Sequence, residues 1–124
     1  MSQMRRGLSL LVAEGTQPRL HAALSLAVAS AALGRAVAIF FQGSAVAALE
    51  AGRVWPADAA HRAAGSPTIA DLFANAREME IGIGACETGI HLANLSADRL
   101  IPGVETTGLI AFLAAHGDDE IVMA

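Results

Sequence analysis

The sequence predicts an α/β fold: a single domain built on a mostly parallel sheet of about five strands with helices on both faces. Apolar runs at residues 7–13, 36–41 and 80–85 are short and nearly unbroken, the pattern of strands covered on both sides. Segments with apolar residues at helical spacing lie between these runs, and glycine, proline or hydroxyl residues mark the junctions. Strand and helix in alternation predict parallel strands joined by right-handed crossovers. With 124 residues, one domain over 1–124 accounts for the chain and leaves enough core to fold without disulfides or metal.

The run GLSLLVA at 7–13 is the expected first strand. Gly15-Thr16-Gln17-Pro18 then turns the chain, with Thr16 or Gln17 as N-cap and Pro18 in the first helical turn, where its missing N–H is harmless. Leu20, Leu24, Ala27, Val28 and Ala31 carry a helix as far as Gly34, a C-terminal glycine. AVAIFF at 36–41 is the second strand, and Gly43-Ser44 opens a short alanine-rich helix to about Glu50. Residues 51–65, with Trp55-Pro56, lose periodicity and read as an irregular excursion. Ser66 is expected to cap a helix that has Pro67 first, reaches about Glu78, and turns Ile69, Leu72, Phe73 and Ala76 inward.

In the third strand, 80–85, alternation sends Ile81, Ile83 and Ala85 to one face and Gly82, Gly84 and Cys86 to the other. A helix over 86–93 follows, with Asn94 suited to a left-handed cap, and SADRLIPGVETTG leads through a turn to a short strand. Residues 109–116 are helical, Gly117 stops them, and EIVMA is the last strand.

Composition narrows the functions. Hydrophobic residues make up 54%, with 12 glycines besides, well above the roughly 45–50% apolar-plus-glycine share of ordinary soluble domains. The two most apolar stretches, 20–34 and 36–49, are parted by Arg35, and each is shorter than the ~20 residues of a spanning helix, so subunit contacts rather than a membrane are the expected sink. The N-terminal run is cut by Glu14 and has no small-residue cleavage pattern, which reads as a first strand in a cytoplasmic protein. The 8 basic residues, all arginine, are scattered among 12 acidic ones, without the basic stripe and interleaved aromatics of a nucleic-acid binder. One cysteine excludes an internal disulfide, a Cys-x-x-Cys pair and a thiolate zinc cage. His21, His61, His91 and His116 lack metal-ligand spacing, so neither metal nor cofactor is expected.

The chemistry concentrates at Cys86. A lone cysteine is commonly a core residue. Here it falls at the carboxyl edge of a strand and the first turn of a helix, where orphan N–H groups favour a thiolate by roughly 0.3–1 kcal/mol; Glu87 opposes this. A hydrolase nucleophile would need a histidine within reach. His91, about 140° around the helix from Cys86, looks away, and His21 is the better placed. Gly82 and Gly84 allow close packing or a ligand against the sheet, yet Glu87 occupies the third glycine position of a dinucleotide fingerprint. Gly15-Thr16-Gln17 and Gly43-Ser44 are strand-to-helix turns of the kind that bind anions. Trp55 reads as a lid, an oligomer anchor or core cover.

Three stretches, GRAVAIFFQGSAVAAL, GIGACETGIHLANLSADRLIPGVETTGLIAFL and DDEIVMA, make the chain resemble the DsrE/DsrF-like sulfur-relay proteins. The resemblance implies a small oligomeric α/β module, a homotrimer or its doubled hexamer. Cys86 falls where cysteine-bearing members keep a sulfur acceptor, which implies a persulfide relay between a donor and an acceptor protein. Ala93-Asn94 stands where many relatives have Arg-Gly, so an arginine role there does not carry over. Two rivals remain: a non-catalytic oligomeric module binding a small anion or a protein, and a thiol hydrolase using Cys86 and His21.

Overall fold

The computed structural model describes residues 6–124; residues 1–5, the start of the expected 1–124 domain, lie outside the described residues. The elements are β1 (Leu8–Val12), α1 (Gln17–Ala32), β2 (Val37–Phe41), a 3-10 helix (Gly43–Leu49), α2 (Asp58–Ala63), α3 (Ile69–Glu78), β3 (Gly82–Cys86), α4 (Glu87–Leu92), a single 3-10 turn (Ala97–Arg99), β4 (Val104–Thr107), α5 (Leu109–Ala115) and β5 (Glu120–Met123). All five strands are parallel, in the order β4-β3-β2-β1-β5. The α/β sheet of about five strands predicted from the sequence is thus present.

Strand order decides how the two faces are covered. From β1 to β4 the sheet grows in one direction, so right-handed crossovers put α1, α3 and α4 on one face. The last connection returns across the sheet to β5, and α5 alone lies on the other. The first face holds the main core, in which Leu8, Leu10 and Val12 of β1, Val37, Ile39 and Phe41 of β2, and Ile81, Ile83 and Ala85 meet α1 and α3. The second holds Ala38, Phe40 and Phe112, with Leu11, Leu109 and Leu113 half-buried around them.

Local chemistry explains most element ends. Thr16 is the N-cap of α1 with Pro18 in its first turn, and Gly34 adopts φ +94° just past the helix, a conformation that costs glycine nothing. Asn94 takes the left-handed position expected after α4, at φ 54°. Thr68, not Ser66, caps α3: its hydroxyl accepts from Asp71 N–H at 3.1 Å while the Asp71 carboxylate accepts from Thr68 N–H at 3.0 Å. This reciprocal pair outweighs the preference for proline at the first helical position, and Pro67 stays outside the helix. The segment at Gly43–Leu49 is a 3-10 helix, and the excursion contains a helical turn, α2, that buries none of its residues. β3 starts at Gly82 because Glu80 turns the chain at φ 60°, and the strand runs through Cys86, which also caps α4.

Candidate functional site

Cys86 stands at the carboxyl edge of the sheet, with Thr107 of β4 as its register partner. It is half-buried, and it packs against both the main core and the small cluster under α5. The thiol therefore sits on the seam between the covered and the thinly covered face.

Two glycines fix that position. A Cβ on Gly84 would lie 3.2 Å from Thr107 Cγ2 and 3.4 Å from Phe40 Cδ1, so the bare surface of β3 exists to admit Phe40, whose ring lies 5.1 Å from that of Phe112. A Cβ on Gly89 would lie 2.5 Å from Val46 Cγ2 and 2.8 Å from the Gly43 carbonyl oxygen, so α4 rests directly on the 3-10 helix. Gly89 escapes sequence reasoning as a functional position; a glycine in mid-helix three residues after the cysteine was the available signal. It seats the helix that Cys86 caps.

The structure brings no histidine partner to the thiol among the described residues. His21 is engaged elsewhere, its ring stacked 4.0 Å from that of His61 and its Nε2 2.8 Å from the Pro67 carbonyl oxygen. His91 is on the exposed side of α4. His116 contacts Asp119 at 3.2 Å, and the same carboxylate accepts from the Ser9 hydroxyl at 2.7 Å. That Ser–Asp–His group is a structural clip: Ser9 is fully buried and bonded to the acid, not to the imidazole. The hydrolase reading loses its base. Charge near Cys86 is acidic, since Glu87 follows it and Glu105, opposite Gly84, lies on the same face; both are exposed.

The two turns singled out as anion sites do converge. Gly15, Thr16, Gln17, Ser44, Arg53 and Trp55 border one hollow of about 450 Å³ at the carboxyl edges of β1 and β2. Gln17 Oε1 accepts from Ala57 N–H at 3.0 Å, leaving Nε2 buried without a partner. Trp55, 6% exposed, is core cover, and the Arg53 guanidinium lies 4.4 Å over its ring. Of the described residues, no group of three or more His, Cys, Asp and Glu could hold a metal, and no helix is long and apolar enough to cross a membrane.

A parallel five-stranded sheet with a solitary thiol at the carboxyl edge of its third strand defines a small α/β module with a cysteine-bearing rim. The chain belongs to the DsrE/DsrF-like family, which matches it over residues 8–123. Among solved structures, the ychN protein from E. coli is similar at 17% identity and TM-score 0.77, over 97% of this chain and 100% of that one. MTH1491 from Methanobacterium thermoautotrophicum, a protein of unknown function, is similar at 13% identity and TM-score 0.66, again over 97% and 100%. At these identities the likeness establishes the fold. No curated protein matches the sequence.

Proposed function

We propose that the protein is a sulfur carrier of the cytoplasm, working as a homo-oligomer. The supporting observation is the half-open Cys86 at the sheet's carboxyl edge, in a chain with no second thiol. The Cys86 thiolate attacks the outer sulfur of a donor persulfide, the donor's S–S bond breaks, and the donor leaves as a thiolate. Cys86 then carries the sulfur as a persulfide until an acceptor thiolate attacks that sulfur and releases the Cys86 thiolate. Each transfer needs one cysteine on the carrier. Since the chain sets glutamates beside the thiol, the positive charge that steadies a persulfide anion comes from a neighbouring protomer or from the donor and acceptor proteins. Intact-mass measurement after incubation with a persulfide donor tests the reading: gain of one sulfur atom, abolished by Cys86→Ala, is expected. Failure to gain it while control thiols do overturns the proposal.

The convergence of Gly15-Thr16-Gln17, Ser44 and Arg53 favours a second reading, a non-catalytic module for a small anion. Under it, sulfate or phosphate binding measured by calorimetry survives Cys86→Ala and is lost with Arg53→Gln.

A further inference from the structure

On the main-core face, a cavity of about 960 Å³ opens between α3, the segment 48–55, the base of β3 and the turn before β4. It exists because α4 is short and sits on the 3-10 helix, leaving the lower inner surface of the sheet's β4 edge without a helix of its own. Its volume falls in the ~300–1,000 Å³ range of small-molecule sites. The inner lining is apolar and aromatic, with Trp55, Ile69, Phe73, Ile81, Ile83 and Ile101, and the exposed Ala70 and Ala74 of α3 stand at its rim.

The charges at its border select the ligand. Glu50 is paired with Arg99 at 3.2 Å, while Glu78 and Glu80 stand exposed near the end of α3. Arg53 is held over the Trp55 ring and donates through Nη1 to the Ala47 carbonyl at 3.1 Å, which leaves its remaining N–H groups for a ligand beside the apolar wall. Arg77, also on the border, forms no ion pair among the described residues. Of these two guanidiniums, the one fixed against the aromatic wall suits a single negative charge on an apolar body, and Glu78 and Glu80 offset the pair, so that the border holds no net charge. The two glutamates oppose a polyanion.

We infer that this cavity binds a small apolar monoanion, a medium-chain carboxylate in chemical class, at a site separate from Cys86. Trp55, the one tryptophan, reports on its own cavity. In a fluorescence titration of the full chain, octanoate gives a saturable change, octanamide binds about tenfold more weakly, and adenosine monophosphate does not compete. Arg53→Gln removes the preference for octanoate over octanamide. The double variant Ala70→Leu, Ala74→Leu, at exposed rim positions of α3 that tolerate leucine, obstructs the mouth of the cavity and abolishes the response, whereas Cys86→Ala leaves it unchanged. The inference is overturned if octanoate gives no saturable change, if the leucine variant still responds, or if octanamide binds as well as octanoate. It is equally overturned if the leucine variant elutes at a smaller size than the parent, for then a second copy of the chain fills the cavity.

Discussion

Gly89→Ala is the sharpest test of how Cys86 is held. On helix propensity alone the change stabilises, since glycine in a helix interior is worse than alanine by roughly 0.5–1 kcal/mol. The structure predicts the opposite sign. The new methyl would lie 2.8 Å from a backbone carbonyl oxygen, that of Gly43, and 2.5 Å from Val46 Cγ2, and the carbonyl cannot swing aside as a side-chain tip can. Overpacking of this kind costs about 1–3 kcal/mol, which at mid-range exceeds the propensity gain and leaves a net loss centred on about 1 kcal/mol and reaching about 2.5 kcal/mol. For a chain of this size that lowers Tm by about 3–10 °C. Because α4 must lift to make room, its cap residue Cys86 becomes more open, and alkylation of the native thiol by iodoacetamide speeds up. Gly82→Ala is the control, since its Cβ meets only Ala38 Cβ at 3.9 Å, and it leaves Tm and alkylation rate nearly unchanged. A Gly89→Ala protein as stable as the parent, with an unaltered alkylation rate, refutes the close seating of α4.

Asp71 lies below the ordinary aspartate value of 3.8 because Thr68 donates to its carboxylate from backbone and side chain. A carboxyl depressed in the folded state contributes stability above its unfolded value and loses it as pH falls through the folded one. Urea midpoints should therefore fall more steeply below pH 4 in the parent than in Asp71→Asn, and parallel curves would contradict the capping box. Ser9→Ala removes the fully buried hydroxyl that donates to the part-buried Asp119 carboxylate, and a loss of about 1–2 kcal/mol in urea unfolding is expected. If the proposed homo-oligomer forms through the exposed apolar side chains of β5, Ile121 and Met123 at 49% and 64% exposure, then Ile121→Glu with Met123→Glu should reduce the size measured by light scattering without loss of helical circular dichroism.

Much of the fold was legible because the central strands β1 and β2 are apolar on both faces and the segments between strands carry helical spacing. The alternation in GIGAC even assigned Ile83 and Ala85 to one face and Gly84 to the other, as found, while Cys86, expected with Gly84, touches both clusters. Where the reading slipped, two local signals competed or none existed. Proline favours the first helical position, yet Thr68-x-x-Asp71 carries the stronger cap, and that spacing was in the sequence to be weighed. α2 buries nothing, so it left no periodic trace. Cys86 could be placed at a sheet edge from its neighbours alone, but its exposure depends on Phe40, Thr107 and α5, which come from distant segments. The cavity beneath α3 was beyond reach for the same reason: four separate stretches of chain wall it.

The apolar surplus in the composition follows from topology. Five strands spaced about 4.8 Å apart make a face roughly 19 Å across, while α5 is one helix about 10 Å wide and, with 7 residues, about 10 Å long. It covers Leu11, Ala38 and Phe40 at the centre and leaves the flanks open, with Ile121 and Met123 on β5 and Gly82 on β3 exposed. Lengthening α5 would not close the gap, because the deficit is in width. A neighbouring protomer, as proposed above, would supply a second layer that needs no further sequence. Cys86 packs at the border of the same face, so such a protomer would approach the thiol from the side on which, among the described residues, Glu87 and Glu105 are the charges at hand. Under that proposal assembly and chemistry are coupled: mutations that strip the flanks of β5 should slow sulfur uptake at Cys86 although β5 is the opposite edge strand of the sheet.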